Sequence, residues 1–340
     1  MKKIGIFCVG TGGHVLPAKN IIRELNDKNI GLENMVVITD ERGAQYFESM
    51  DVNIHIRNIY RSSSGILGYI LNFNRILKSI KNIKYLIKKE KIEVVFCTGS
   101  YIAPLVSFLC MLLKIQYFGQ EQNIYGGLGN KVSSYLPGII FTSYPDTKNL
   151  RNKNVKFVGP IFNKNIFQVV NNKKNIVIGV QGGSQWSEEI NEFIYKFLNN
   201  NKLNKISFIH ITGKNKLQND KDYENYKQYD FIEDMKIYYS NISLQIGRSG
   251  GGSLEAAYLG IPQILIPFQY GTTSSHQFLN AEYLNKLGLA ELVNTYNEFE
   301  ETLLEIVDNY DEWKKNNFKK AKIQNGNEQI SKYLLDAIYE

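Results

Sequence analysis

The sequence predicts an α/β protein built from two Rossmann-like, doubly wound parallel-sheet domains facing a cleft, and three observations carry that expectation. An apolar strand pattern at Lys3 to Val9 enters the glycine turn Gly10 to Gly13 and then a helix from His14 to Leu25, with Val15, Ile21, Ile22 and Leu25 at helical spacing. The same order recurs as the strand Ile176 to Val180, the turn Gln181-Gly182-Gly183-Ser184 and a helix from Ser187. Finally, 340 residues exceed what one hydrophobic core usually organises.

Further strand-like runs of the first half lie at Met35 to Thr39, Val52 to Ile59, Ile92 to Cys97, Ile115 to Phe118, Ile139 to Thr142 and Val155 to Val158. Helical segments separate most of them, the pattern of a mainly parallel sheet covered on both faces. Gly159-Pro160 and the Asn/Lys-rich stretch 163–175 have linker composition. The predicted domains are therefore 1–162 and 163–340, with a last helix that can pack back on the first domain. Strands of the second are expected at Ile206 to Ile211, Ile242 to Ile246 and Gln263 to Ile266. Doubly wound sheets bind ligands at the carboxyl ends of their strands.

A net charge of +7 favours an anionic partner or describes a solvated lysine-rich surface. Cys8, Cys97 and Cys110 sit in apolar runs without metal or redox spacing, as small buried hydrophobes do in a reducing compartment. The N-terminal apolar stretch is too brief for a signal peptide, which predicts a cytoplasmic chain. Ile102 to Leu113, the longest apolar run, is well short of the ~20 residues that span a bilayer, so membrane contact should be peripheral.

Gly10-Thr11-Gly12-Gly13-His14 places backbone N–H groups and a helix start together, a favourable setting for an oxyanion. Val15 at the third glycine position breaks the dinucleotide fingerprint, and Asp40 alone keeps a nicotinamide reading open. His14 is either a proton acceptor for a sugar hydroxyl or a structural helix-start residue. In the second half, Arg248-Ser249-Gly250-Gly251-Gly252-Ser253-Leu254-Glu255 offers backbone and helix dipole for a diphosphate without a metal. Glu255 is placed to bond ribose hydroxyls or to favour the helix start. Asp220-Lys221-Asp222 reads as loop, so no catalytic metal and no other cofactor is expected.

These segments, in order and with near-matching spacing over nearly the whole chain, resemble the MurG family, which adds N-acetylglucosamine to lipid I to make lipid II in peptidoglycan synthesis. The resemblance implies GT-B architecture and an inverting transfer from UDP-N-acetylglucosamine to undecaprenyl-pyrophosphoryl-MurNAc-pentapeptide. GTGGHVLPA, Gly10 to Ala18, is similar to the family's first motif, which implies His14 as general base and Thr11, Gly12 and Gly13 at the substrate; Glu121 is a second candidate proton acceptor. Gly99 and Tyr101 lie in a second glycine loop, and Glu121-Gln122-Asn123 with Gly127 and Asn130 resembles the family's EQN run, where Asn123 touches the donor sugar. Ser184 of GGSQ would contact phosphate, and Ile232 would offer backbone groups to uracil. Arg248, Gly251, Gly252, Ser253 and Glu255 form the donor loop, and Gln277 matches the sugar-reading glutamine. The donor loop is one residue shorter than the family pattern, and Gln120 stands where histidine is usual.

A UDP-sugar transferase acting on diacylglycerol or another polyprenyl lipid shares many of these features, and a non-catalytic membrane-binding relative is the alternative from another class. A lipid-linked acceptor implies the cytoplasmic face of the membrane. The expected docking segment joins Ile66, Leu67, Leu71 and Phe73 to the basic helix carrying Arg75 and Lys78. Nucleic acid is not expected there, because the stretch has few aromatics suited to stacking on bases.

Overall fold

Strand and helix alternate along the chain, and every strand pairing in the computed structural model, which describes residues 1–58, 72–169, 176–183, 186–200, 206–213, 225–268, 274–318 and 322–340, is parallel. Seven strands, β1 (Lys3–Phe7), β2 (Met35–Thr39), β3 (Asn53–Ile56), β4 (Ile92–Cys97), β5 (Gln116–Glu121), β6 (Ile139–Thr142) and β7 (Val155–Phe157), form a sheet of order β3-β2-β1-β4-β5-β6-β7. A second sheet has the order β10-β9-β8-β11-β12-β13, from β8 (Ile176–Gln181), β9 (Ile206–Ile211), β10 (Tyr226–Tyr229), β11 (Leu244–Gly247), β12 (Gln263–Leu265) and β13 (Glu291–Leu292). The direction of strand addition reverses at β1/β4 in the first sheet and at β8/β11 in the second. Each reversal leaves diverging loops at the strands' carboxyl ends, where such folds hold ligands.

Alternation along the strands of the first sheet sorts its apolar side chains between two cores. Ile4, Ile6, Val37 and Phe96 face the first helix, Gly12–Asp27, and the last, Gly326–Tyr339. Phe7, Val36, Ile38 and Val95 face the helices Phe73–Lys89 and Ala103–Leu113. Both faces are thereby covered, and a near-continuous apolar strand is the sequence signature of that burial. All three cysteines are buried and unpaired, and burial pushes their thiols up, that of Cys97 to about 11.

One compact unit consists of Met1–Phe162 together with Asn325–Glu340, and the other of Asn163–Gln324. The last helix joins the first unit through Ile330, Leu334, Ala337 and Ile338 in its core. Asn327 fixes the helix start by exchanging two hydrogen bonds with the Phe162 backbone, at 2.8 and 2.9 Å.

Several elements differ from the sequence reading. The first helix begins at Gly12, so two glycines read as turn form its opening residues. Strand β3 is shorter than Val52 to Ile59, and β10 and β13 come from stretches not read as strands. The basic helix starts at Phe73, while Ile66, Leu67 and Leu71 lie outside the described residues. Within that helix Ile83, Leu86 and Ile87 are buried, whereas Arg75 and Lys78 are exposed.

Candidate active site

In the first unit three loops meet at the β1/β4 reversal. Gly10, at φ +104°, takes the chain out of β1 in a conformation that favours glycine. Its N–H donates to Asp40 Oδ1 at 3.0 Å, and the same carboxylate accepts from Gly43 N and from Arg42. Burial raises the Asp40 carboxyl, but these donors outweigh it and hold the group below its usual range. Asp40 therefore braces the glycine turn and is not free to read a ribose, which removes the nicotinamide alternative.

The first helix has no side-chain cap, and the N–H groups of Gly12 and Gly13 make no hydrogen bond among the described residues. Gly13 is exposed. Thr11 is the N-cap residue, and these open donors at a helix start suit an oxyanion.

His14 follows immediately. Its Nδ1 lies 2.8 Å from the Thr98 carbonyl oxygen and 3.1 Å from the side-chain amide of Gln122. A carbonyl can only accept, so Nδ1 carries the proton, and the Gln122 amide, whose orientation is set by its partner, turns its oxygen to the ring. The ring's lone pair is then on Nε2, which has no partner among the described residues. The other histidines offer less: His210 is buried between Tyr226 and Asn191 and pushed down to about 3 by that burial, and His55 pairs with Glu90 at 3.0 Å. His276 lies in the second unit.

Glu121 is organised differently from the proton acceptor expected of it. Oε1 accepts from Asn123 N at 3.0 Å and Asn123 Nδ2 at 3.1 Å, while Oε2 accepts from Gly127 N and Asn130 Nδ2, both at 2.9 Å. Four donors fill a buried carboxylate and make it the hub of the 121–130 loop. Asn130 is buried too, and it donates its amide hydrogens to Glu121 and the Gln120 carbonyl while its Oδ1 has no partner among the described residues. Gly99, at φ +90°, passes so close to Asn130 that a Cβ would lie 2.8 Å from Nδ2. The Tyr101 hydroxyl bonds Arg42 and links this loop to the Asp40 brace.

In the second unit the loop after β11 leads into the helix Gly251–Tyr258. The N–H groups of Gly251 and Gly252 are unpaired among the described residues, and Ser253 Oγ donates to the Gly250 carbonyl at 2.7 Å. Glu255 Oε2 accepts from the Tyr239 hydroxyl at 2.8 Å, leaving Oε1 without a partner among the described residues. Burial pushes this carboxyl up to about 7, against the lowering effect of the Tyr239 bond.

Arg248, expected at the donor, makes several contacts within the protein. Nη2 is 2.7 Å from both Ser187 Oγ and Glu189 Oε2, Nη1 donates to the Ile266 carbonyl at 2.9 Å, and the guanidinium lies over the Phe268 ring. It braces the start of the helix Glu188–Asn200. Gln277 Oε1 accepts from Phe268 N at 3.0 Å, and its amide hydrogens have no partner among the described residues. Ile232, in the loop after β10, makes no backbone hydrogen bond among the described residues. Ser184 lies outside the described residues.

Sequence reasoning missed Gln122 as a contact of His14, and it missed Gln181, Tyr239, Gln245 and Gln263 around the donor loop. For Gln181, Gln245 and Gln263 the available signal was glutamine inside otherwise apolar strands.

Two such parallel-sheet units, each with a glycine turn at its reversal, have the architecture of a GT-B glycosyltransferase. Residues 4–142 match the glycosyltransferase family 28 N-terminal domain and 177–334 the glycosyltransferase family 28 C-terminal domain. The UDP-N-acetylglucosamine–N-acetylmuramyl-(pentapeptide) pyrophosphoryl-undecaprenol N-acetylglucosamine transferase of Thermosipho africanus is 32% identical over 305 residues, covering 86% of this chain and 87% of the relative. The protein of the same name from Prochlorococcus marinus AS9601 is 29% identical over 354 residues, covering 96% of this chain and 95% of the relative. The crystal structure of Acinetobacter baumannii MurG superposes with a TM-score of 0.75 at 20% identity, covering 100% of this chain and 99% of that one. The chain belongs to glycosyltransferase family 28, among the pyrophosphoryl-undecaprenol N-acetylglucosamine transferases.

Proposed function

We propose that the chain transfers N-acetylglucosamine from UDP-N-acetylglucosamine to the C4 hydroxyl of the lipid-linked MurNAc-pentapeptide, converting lipid I to lipid II with inversion. The observation that carries the chemistry is the His14 ring, fixed by the Thr98 carbonyl so that Nε2 presents its lone pair. In this reading Nε2 takes the proton of the acceptor hydroxyl while its oxygen forms the new bond to the anomeric carbon. The bond from that carbon to the diphosphate breaks, and UDP leaves with the electron pair. Glu121 holds the neighbouring loop rather than taking the proton.

The second unit is proposed to hold the donor. The Gly251 and Gly252 N–H groups and the helix dipole receive the diphosphate, Glu255 receives ribose, Ile232 offers backbone groups to uracil, and Gln277 reads the sugar. No metal has a role in this proposal, so a chelator should leave turnover unchanged. The direct test is UDP release in the presence of a lipid I analogue. Acceptor-dependent release supports the reading; release with diacylglycerol but not with the analogue overturns it.

The proposed location is the cytoplasmic face of an anionic membrane, held peripherally. Among the described residues no helix is long and apolar enough to cross a bilayer. The helices Ala103–Leu113 and Leu128–Ser133 pack together and leave Phe108, Met111, Leu112 and Leu128 exposed, at 39, 37, 55 and 66%. Beside them the helix Phe73–Lys89 exposes Lys78, Lys81, Lys84 and Lys88. Exposed apolar side chains on one helix and exposed lysines on a helix packed against it suit an interface of acyl chains and anionic headgroups, with about 1 kcal/mol from each lysine near the surface. Co-sedimentation with anionic vesicles is expected to weaken with salt and to fall in the triple variant Phe108→Ser, Leu112→Ser, Leu128→Ser. Equal sedimentation of variant and wild type would remove these residues from the docking surface.

A further inference from the structure

Three glutamines stand on adjacent strands of the second sheet: Gln181 ends β8, Gln245 lies in β11 and Gln263 begins β12. Gln245 and Gln263 are fully buried. Gln181 Nε2 donates to Gln245 Oε1 at 2.8 Å, and Gln245 Nε2 donates to Gln263 Oε1 at 3.1 Å. Gln263 Nε2 donates to the Ser253 carbonyl at 3.0 Å, and Gln245 Nε2 also reaches the Gly252 carbonyl at 3.2 Å. Both carbonyls lie in the opening turn of the helix that carries Glu255.

The direction of this chain follows from its end. The Ser253 carbonyl can only accept, so the NH2 of Gln263 must face it, and the Gln263 oxygen must then face Gln245. Repeating the step turns the Gln245 oxygen toward Gln181. The second N–H of Gln181 donates to the Tyr239 hydroxyl oxygen at 3.2 Å, and of the two acceptors in reach of the Tyr239 proton, Glu255 Oε2 at 2.8 Å is nearer than the Gly252 carbonyl at 3.3 Å, which Gln245 already serves. The Ser253 and Gly252 carbonyls thus orient the three glutamines, and through Gln181 the Tyr239 hydroxyl that meets Glu255, in a chain whose hydrogen bonds reinforce one another.

Packing couples the same residues. A Cβ at Gly252 would lie 2.8 Å from Gln181 Nε2, whereas one at Gly251 would meet nothing within 4 Å. The opening turn of the helix is seated on the glutamine amide at one glycine and open at the next.

Resting on the reading of Glu255 as the ribose acceptor, we propose that the Gln181–Gln245–Gln263 ladder and Tyr239 are positioning residues for nucleotide recognition. They hold one oxygen of Glu255 so that the other faces the ribose hydroxyls. Glu255 touches the ligand, and the ladder acts through it.

The test compares the affinities of UDP and 2′-deoxyuridine diphosphate by calorimetry in wild type, Glu255→Gln, Tyr239→Phe and Gln245→Met. Wild type should prefer the ribose form by about tenfold, the worth of one hydrogen bond to a charged group, and Glu255→Gln should abolish the preference. Tyr239→Phe and Gln245→Met should each cut it at least threefold. A merely structural ladder would lower melting temperature without changing this ratio. Where orphaned amides keep Gln245→Met from folding, the triple variant Gln181→Met, Gln245→Met, Gln263→Met leaves none and should show the same loss. An unchanged preference in the ladder and Tyr239 variants, with loss only in Glu255→Gln, overturns the positioning role. A preference that survives Glu255→Gln overturns the ribose reading itself, and the ladder's role with it.

Discussion

His14→Ala should lower turnover by about 100-fold or more while leaving UDP affinity unchanged, the scale of a lost general base. The expectation rests on a division of labour between the two ring nitrogens. Nδ1 is held by the Thr98 carbonyl, and Nε2 is the atom left to accept a proton. The nucleotide groups proposed here belong to the other compact unit, so binding of UDP should not register the change. Single-turnover rates with saturating donor, set beside calorimetric UDP affinity, separate the two effects. Near-normal turnover would return His14 to a helix-start role and reopen the choice of proton acceptor. Glu121 is the weaker candidate, because each of its oxygens already accepts two hydrogen bonds.

Glu255→Ala should weaken UDP binding by about 1.5–3 kcal/mol, roughly tenfold to more than a hundredfold in Kd. The pH dependence follows from burial, which lifts the Glu255 carboxyl from 4.5 to about 7. As pH falls through about 7 the group gains a proton and loses acceptor capacity, so the Kd for UDP should rise. The stability of the ligand-free protein moves in the opposite sense. The folded state holds this proton more tightly than the unfolded chain, so the associated stability is full below pH 4.5 and is lost as pH rises through about 7. Glu255→Gln, which cannot ionise, should therefore raise the melting temperature of the empty protein more at pH 8 than at pH 5 while weakening UDP. An equal shift at both values would mean that the carboxylate is not held in this buried setting.

Much of the fold was legible because parallel strands buried on both faces read as continuous apolar runs, as VVIT after Met35 and the Ile92–Cys97 stretch do. The sheet edges were harder. β10 is the half-buried polar string Tyr226–Tyr229, and β13 has two residues, so neither carries a burial pattern. Gly12 and Gly13 read as turn because glycine is a poor helix former, yet they open the first helix. The run Ile102 to Leu113 shows the limit of periodicity: an apolar stretch does not tell which side is covered. Only the structure shows Ala103, Val106 and Leu109 inside while Phe108 and Leu112 are exposed.

The candidate site divides in a similar way. The glycine turns, His14 and Glu255 could be singled out from the sequence as candidates, because each follows a strand-like run. What a polar side chain bonds could not. The sequence could not show that Arg248 bonds Ser187, Glu189 and the Ile266 carbonyl or that Asn130 bonds Glu121, and the glutamine ladder required knowing that β8, β11 and β12 are neighbours.

If this chain joins N-acetylglucosamine to a lipid-linked muramyl sugar with inversion, the linkage in its product will record it. The protein is incubated with UDP-N-acetylglucosamine and a lipid I analogue, and the disaccharide product is isolated for NMR. A β linkage to the C4 hydroxyl is the predicted result; an α linkage, or a sugar attached at another position, would contradict the account.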